Sequence, residues 1–404
     1  MQTAGLAIGD QGRAVERRNA SVKSLASYYF LWYLAISVVM PYTSLYFSDR
    51  GFSHTTVGLI LSLWALVSVI AQPVMGMIND RINNPRKIIM ICVITAPILG
   101  IGFQFTEGLA GILVLSIFFA WFQSSGGPIG DAMSVEIASK KGFSFGSVRL
   151  WGALSYAIGT FATGILYEKY GYNDIFIYYL VVSTTVCLAL MLLPATKVTR
   201  RNVTLFGQMG EVVRNKPFMI FVATSMLMMM SASINMNFLP LYFKEMGFDK
   251  SWIGSAFAIA AIIEVPMFWV ATKLSKRIGR YQLLCVAAMI YGIQYFAMFF
   301  FDNVSLTLAV QLLNGIAFAF VAGTAVEIVQ SYANEGTKAT LQTVYAAVTW
   351  GLGGIVGNAM GGVVVDRFGA PFLYLILFCL CMAASVLFFA NKHHQRGNQA
   401  DSVA

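Results

Sequence analysis

The feature that most constrains this chain is a series of twelve apolar stretches, each long enough to cross a lipid bilayer. A transmembrane helix needs about 20 mostly apolar residues, and runs such as Ile88–Gly102 and Phe372–Ala390 are apolar on every face. Only 11% of the 404 residues are charged, against roughly 25% in an average soluble domain. The pattern predicts spans near residues 25–46, 56–79, 88–106, 110–136, 149–167, 174–194, 217–243, 252–272, 281–301, 304–330, 340–364 and 371–391.

Several other classes of protein are excluded by the same sequence. A membrane β-barrel shows short segments that alternate apolar and polar residues, which these stretches do not. The five cysteines all fall inside apolar runs, so no disulfide framework or zinc site is indicated. No nucleophile and base pair stands out, and no Lys-Ser or Lys-Thr follows the glycines of Gly351–Gly362, whose spacing favours helix packing over a phosphate loop. We therefore expect no enzymatic activity, metal, cofactor or nucleic-acid partner.

The basic residues predict the orientation of the chain in the membrane. When alternate loops are assigned to one side together with both termini, that side holds 22 of the 27 Lys and Arg residues. Cytoplasmic loops carry an excess of Lys and Arg. The net charge of +9 is thereby explained by topology, and we expect both termini to be cytoplasmic in a multi-pass protein of the cell membrane.

The chain also repeats itself at about half its length. Leu45-Tyr46-Phe47, Gly51-Phe52 and Gly58 recur 196 residues later, and Gly159, Gly164 and Glu168-Lys-Tyr-Gly171 recur conservatively 198 residues later. Parallel six-helix halves with the solute site between them are one ground plan of secondary transporters. The repeat predicts a cytoplasmic tail (1–24), a six-helix bundle (25–194), a cytoplasmic linker (195–216), a second bundle (217–391) and a C-terminal tail (392–404).

The loop after the second span carries a further pattern, formed by Gly76, Asp80, Arg81 and Arg86. Through this pattern and its twelve spans, the chain resembles the major facilitator superfamily. In that family the loop ties helix ends together, which implies a gating and structural role for the four residues. Asn83 stands where the family usually has a glycine, and asparagine tolerates the left-handed backbone better than most residues.

Within that superfamily the chain is similar to sugar–proton symporters of the lactose permease type. The similarity lies in Pro128-Ile-Gly-Asp131 and Phe145-Gly-Ser-Val-Arg149-Leu-Trp-Gly152. In such relatives the acid and the arginine bind sugar hydroxyls, and an aromatic residue seven positions later stacks on the sugar ring. The resemblance therefore implies that Asp131, Arg149 and Tyr156, which replaces the family's tryptophan, bind the solute.

The C-terminal half departs from this resemblance. The proton-relay positions of the family align with Ala261, Gly292, Asn314 and Ala317. Glu264 lies one helical turn from Ala261, and the repeat places Glu327 opposite Asp131. Any proton coupling must therefore use other carboxylates.

Ionisable residues inside the membrane are costly, and they usually mark a solute or ion pathway. We expect Asp131 to stay ionised beside Arg149 and orient the solute, and Glu264 to carry the coupling proton, with Asp131 and Glu327 as further coupling candidates. Alternatively, the Asp131–Arg149 pair only fixes two helices, Glu264 stabilises the kink near Pro266, and Glu327 is a hydrated helix end.

Asn237 and Asn314 are polar residues inside apolar spans. They line the same cavity or form hydrogen bonds between helices, because a buried amide needs partners. Both explanations fit the sequence.

These observations predict an all-α membrane protein with twelve helices in two six-helix bundles. The expected function is proton-coupled uptake of a sugar or similar polyhydroxylated solute by a monomer. The sequence leaves open a nucleoside or aromatic acid symporter, a sugar or drug exporter, and a sensor without transport. The fourth span contains no Arg and the fifth no Pro, which argues against drug–proton antiport.

Overall fold

The computed structural model describes residues 2–193, 212, 214–333 and 337–401, and in this part of the chain the regular structure is helical. The predicted linker 195–216 lies almost wholly outside the described residues. The α-helices are α1 (Gln2–Val39), α2 (Thr43–Asp49), α3 (His54–Ile82), α4 (Pro85–Phe105), α5 (Leu109–Lys141), α6 (Phe145–Tyr170), α7 (Ile175–Met191), α8 (Lys216–Glu245), α9 (Ser251–Ile278), α10 (Arg280–Phe300), α11 (Val304–Ala309), α12 (Gln311–Ser331), α13 (Lys338–Ala346), α14 (Gly353–Phe368) and α15 (Ala370–Asp401).

The all-α membrane class predicted from the sequence is confirmed. Within the described residues, eleven helical segments are long and apolar enough to cross a bilayer. The shorter apolar helix α7, with 17 residues, occupies the sixth predicted span. Together these twelve segments match the twelve stretches read from the sequence.

Three spans predicted as continuous contain a change of helical geometry. Pro41 lies in a 3-10 turn between α1 and α2, because proline has no N–H to donate. Val310 separates α11 from α12, and there the Gln311 side chain donates to the Thr307 carbonyl at 3.2 Å. A π-helical turn, Ala347–Leu352, joins α13 to α14.

The sequence repeat reappears in the backbone of the short connections. Gly51 and Gly247, which are equivalent positions of the repeat, have φ values of 85° and 70°. Gly171 and Gly369, the equivalent positions at the other offset, have φ values of 74° and 84°. Because glycine enters this left-handed region without a steric cost, the two halves turn at corresponding positions.

The described helices fall into two compact units. The first comprises Met1–Met40, Ile70–Gly159 and Asn173–Arg200. In it α1 packs on α7, and α4 packs on α5 and α7. Its core contains the ring cluster Phe103, Phe119 and Phe176. Gly100 admits the Phe176 ring, since a Cβ at Gly100 would lie 2.2 Å from that ring.

The second unit comprises Pro41–Val69, Thr160–Tyr172 and Arg201–Ala404. In it α8 packs on α14 and α15, and α10 packs on α12 and α15. The second unit therefore includes the beginning of α3 and the end of α6, which belong to the N-terminal half of the sequence. The predicted division into sequence halves at the linker stays a prediction.

Candidate functional site

Asp131 and Arg149, which the resemblance to sugar–proton symporters implies act together, are in direct contact in the first unit. Helix α5 ends at Lys141 and is capped by Gly142 in the left-handed conformation, and the Phe143 N–H donates to the Ala138 carbonyl at 3.1 Å, a Schellman closure. Helix α6 then begins at Phe145, so the chain reverses within three residues. Arg149 Nη1 donates to Asp131 Oδ2 at 3.1 Å, with about half of each side chain exposed (50% and 44%).

A third side chain, Tyr29 of α1, completes this cluster. Its hydroxyl donates to Asp131 Oδ1 at 2.6 Å, and Tyr29 itself is only 1% exposed. The ring of Phe145 packs edge-on against Tyr29. Both carboxylate oxygens of Asp131 are therefore held by protein donors, one neutral and one charged.

Glycines on two neighbouring helices fix the aromatic face of α1 that presents Tyr29. Because a glycine has no side chain, α5 and α6 approach α1 so closely at these positions that any larger residue would clash. A Cβ at Gly126 would lie 2.6 Å from Trp32, one at Gly130 would lie 2.2 Å from the Tyr28 hydroxyl, and one at Gly152 would lie 2.5 Å from Tyr33. Tyr29 is thereby positioned by packing on both sides.

Sequence reasoning did not identify Tyr29. The available signal was the pair Tyr28-Tyr29 followed one turn later by Trp32-Tyr33, because residues four apart share a helix face. A face so rich in hydroxyl-bearing aromatics, opposite the Gly126 and Gly130 pair, indicates a close contact. It does not reveal which acid the hydroxyl reaches.

Tyr156 lies on α6, seven residues after Arg149, and is half-buried. Two turns of helix separate residues seven apart, so both side chains lie on the same face of α6. The first unit thus presents an acid, a guanidinium and an aromatic ring, of which the last two are aligned along one helix.

The polar residues predicted in the second unit form hydrogen bonds between helices. Asn237 of α8 donates to Asn358 Oδ1 of α14 at 2.8 Å. Asn314 of α12 donates to Gln294 Oε1 of α10 at 3.4 Å, and Gln294 donates to Gln311 at 3.3 Å. This is the arrangement expected of amides that join apolar helices.

Glu264 lies midway along α9 and is half-buried. The adjacent Ile263 is pressed against α12, since a Cβ at Gly315 would lie 2.2 Å from the Ile263 side chain and 2.3 Å from the Ala260 carbonyl oxygen. The kink residue predicted from the sequence, Pro266, lies within the same helix. Glu264 is therefore carried on a helix segment whose position is tightly fixed.

Glu327 has an ion-pair partner that the sequence did not indicate. Arg280 Nε, at the first position of α10, donates to Glu327 Oε2 at 2.9 Å, and the Glu327 side chain is 38% exposed. Glu327 also lies in the last turns of α12, which ends at Ser331. This contact ties the neighbouring ends of α10 and α12.

The loop motif lies at the end of α3. Asp80 and Arg81 are exposed, and among the described residues no ion pair joins either of them. Asn83 has a φ of 51° and is the only non-glycine residue of the described chain in the left-handed region, as its place in the motif predicts. Asn84 then caps α4 by accepting from the Lys87 N–H at 3.2 Å.

A groove of about 500 Å³ runs between α1 and α6 in the first unit. Its lining is largely apolar and consists of Lys23, Ala26, Ser27, Phe30, Leu31 and Trp151. None of the predicted site residues lines this groove.

A family model and a relative of known name both match most of this chain. The family model described as "MFS_1 like family" matches residues 22–376, which is most of the chain. A maltose permease of Geobacillus stearothermophilus is 25% identical over 361 residues, which cover 89% of this chain and 91% of that protein.

Solved structures show the same fold at low sequence identity. The nucleoside transporter NupG is similar with a TM-score of 0.79 at 16% identity, covering 92% of this chain and 98% of that one. A D-xylose–proton symporter has a TM-score of 0.68 at 15% identity, covering 92% and 96%. These likenesses concern the fold.

Proposed function

Because this chain belongs to the MFS_1 like family and is thus a transporter of the major facilitator superfamily, we propose that it imports a sugar or similar polyhydroxylated solute together with protons. The single observation that carries the proposal is the cluster of Tyr29, Asp131 and Arg149, in which the two charged side chains are about half exposed. The maltose permease among its relatives supports the same class of solute.

The chemistry of the cluster suits a solute with neighbouring hydroxyl groups. One carboxylate oxygen of Asp131 accepts from the Tyr29 hydroxyl, and the other accepts from a single nitrogen of Arg149. A guanidinium has five N–H donors in a fixed fork and a carboxylate has about four lone-pair sites, so donors and acceptors remain for the solute. Adjacent sugar hydroxyls both donate and accept hydrogen bonds, so they can bind the remaining N–H donors of the guanidinium and the remaining lone pairs of the carboxylate.

Tyr156 supplies the apolar part of the proposed site. The faces of a sugar ring carry C–H groups that pack on an aromatic ring, while its hydroxyls point outward to the polar cluster. A nucleobase would stack on Tyr156 equally well, and this residue is the observation that keeps a nucleoside symporter as the second candidate.

Among the carboxylates, we assign the coupling proton to Glu264. A carboxylate at mid-depth of a membrane helix is costly and usually serves a pathway. Glu327 lies near a helix end, where it is bound to Arg280, and Asp131 belongs to the cluster proposed to bind the solute, so Glu264 is the carboxylate that lies midway along its span. We assign Glu327 to holding α10 against α12 and Asp131 to the solute.

The remaining parts of the proposal concern orientation and gating. The asymmetry of Lys and Arg supports a protein of the cytoplasmic membrane with both termini inside, working as a monomer. The loop with Gly76, Asp80, Arg81 and Arg86 would then lie on the cytoplasmic side and act there as a gating element. The turn at Asn83 supports this role because it orients the two ends of the loop.

A proteoliposome experiment tests the function. An inward proton gradient is imposed, and sugars, nucleosides and cationic dyes are screened for accumulation or release. We expect a sugar to accumulate. Accumulation of a nucleoside alone would select the second candidate, and release of the solute would overturn import.

Variants in the same vesicles test the assigned roles. Glu264→Gln should abolish uphill accumulation and spare solute exchange, whereas the matched control Glu327→Gln should retain accumulation. Asp131→Asn should abolish solute binding, whereas Glu136→Gln, which removes a carboxylate from the same helix, should not. Accumulation by Glu264→Gln would refute the proton assignment.

A further inference from the structure

Asp366, in the last turn of α14, accepts hydrogen bonds from the beginning of α3. The Thr55 N–H donates to Asp366 Oδ2 at 2.7 Å, and the His54 N–H donates to Oδ1 at 3.0 Å. The His54 ring adds a contact of 2.9 Å between Nδ1 and the same oxygen. All of these residues belong to the second unit.

The sequence repeat produces the same contact a second time. Glu168, in the last turns of α6, accepts from the Ser251 N–H at the beginning of α9, at 3.1 Å. Ser251 follows Thr55 by 196 residues, and Asp366 follows Glu168 by 198. Each carboxylate therefore holds the first turn of a helix from the opposite half of the sequence.

Glycines beside both contacts bring the backbones together. A Cβ at Gly58 would lie 2.3 Å from the Asn358 carbonyl oxygen, and one at Gly362 would lie 2.3 Å from that of His54. On the repeat-related side, a Cβ at Gly254 would lie 2.1 Å from the Thr160 carbonyl oxygen. Helices α3 and α14, and likewise α6 and α9, are thus joined by direct backbone packing at this end.

The contacts of the two carboxylates are the part of this junction that can break when the transporter opens. A helix N-terminus carries partial positive charge and unsatisfied N–H groups, so each carboxylate is favoured where it lies. Asp366 and His54 are about a quarter to a third exposed (26% and 31%), so water can replace the contacts when the helices part.

We propose that Asp366 and Glu168 form a pair of repeat-related clasps that hold this end of the transporter closed during its conformational cycle. Neutralising them shifts the equilibrium toward the state in which α3 and α6 have separated from α14 and α9. A further tie between the halves, Lys244 to Asp49 at 2.7 Å, remains in every variant and limits the shift.

The test measures how often the junction opens. Ser62 of α3 is 7% exposed, and its hydroxyl donates to the Ile355 carbonyl of α14 at 2.8 Å. The variant Ser62→Cys, in full-length protein with the five native cysteines replaced, reports opening through its rate of reaction with a maleimide. The protein is labelled in detergent without solute, so the reagent reaches both faces.

The amide of Asn or Gln still accepts from an N–H, but it lacks the charge that about doubles the strength of such a bond, a difference that changes an equilibrium by about tenfold. We expect Asp366→Asn and Glu168→Gln each to raise the labelling rate about tenfold, and the double variant to raise it further. Asp302→Asn and Glu107→Gln remove exposed carboxylates from other loops and should leave the rate unchanged. Equal rates in the clasp variants and these controls would overturn the proposal.

A measurement that needs no clasp variant covers the case in which one fails to fold. Raising NaCl from about 0.01 M to about 1 M shortens the Debye length from about 30 Å to about 3 Å. The labelling rate of Ser62→Cys with both clasps intact should rise over this range. A rate that stays constant would contradict the clasp.

The inference needs only a transporter that opens and closes, and it goes beyond the choice of solute. Labelling uses neither a solute nor a proton gradient. Failure of the sugar or proton assignment in vesicles would therefore leave this test intact, and failure of the clasp would leave those assignments intact.

Discussion

The contacts around Asp131 differ in strength, and the difference decides whether the cluster holds helices together or binds a solute. The Tyr29 hydroxyl lies 2.6 Å from the carboxylate, the short distance typical of a charge-assisted hydrogen bond. Such a bond contributes about 1.5–3 kcal/mol. The 44% exposure of Asp131 lets water compensate its loss, so we take about 1.5 kcal/mol.

The Arg149–Asp131 pair is weaker by the same reasoning. Its N···O distance is 3.1 Å, and about half of each side chain is exposed. Exposed ion pairs contribute about 0–1 kcal/mol, whereas breaking a buried pair costs about 3–5 kcal/mol. The pair is therefore too weak to be the main fastening between α5 and α6, which supports the proposed role in solute binding.

Two double-mutant cycles measure these terms as free energies of unfolding, for example by reversible titration with SDS. The cycle of Tyr29→Phe with Asp131→Asn should give a coupling of about 1.5 kcal/mol. The cycle of Arg149→Gln with Asp131→Asn should give at most about 1 kcal/mol, while Arg149→Gln alone abolishes solute binding. Glu136→Gln is the control, since Glu136 pairs with Lys140 one turn away on the same helix.

The opposite result would refute the reasoning. An Arg149–Asp131 coupling of about 3 kcal/mol or more would make the pair a helix fastening. Solute binding that survives Arg149→Gln would do the same.

Three further predictions concern packing, turn geometry and stacking. Gly254→Ala places a methyl group 2.1 Å from the Thr160 carbonyl oxygen, and such overpacking costs about 1–3 kcal/mol. In the Ser62→Cys protein we therefore expect Gly254→Ala to raise the maleimide labelling rate. Gly146→Ala in the same protein causes no comparable clash and should leave the rate unchanged. Asn83→Ala should lower the free energy of unfolding by about 1 kcal/mol because φ is 51°, and Asn83→Gly should not, as a denaturation series will show. In equilibrium binding, Tyr156→Trp should retain solute affinity and Tyr156→Ala should lose it. If Tyr156→Ala binds the solute as well as the unchanged protein does, Tyr156 is not part of the site.

Much of this protein could be predicted because local properties of the chain encode it. The apolar stretches predict the spans, since a helix must satisfy its backbone within the bilayer. The repeat offsets predict the matching glycine turns, and the left-handed turn at Asn83 follows from its place in a motif. Asp131 and Arg149 could be identified through the family resemblance, because they stand at the matching positions of its motif.

Other features depend on which helix faces meet, and the sequence does not contain that information. Helical periodicity places Tyr29 on a face of α1, but only the packing of α1 on its neighbours, with Tyr28 against Gly130 and Tyr33 against Gly152, brings the Tyr29 hydroxyl to Asp131. Arg280 and Glu327 lie 47 residues apart, and no spacing rule connects them.

The same reason explains why the clasps emerged only from the tertiary structure. Asp366 and Glu168 read as acids at helix ends, and their partners are backbone N–H groups more than 80 residues away in the chain. A backbone donor looks the same in every residue, so the sequence determined the helices and their repeat, and folding alone decided which helix end each carboxylate holds.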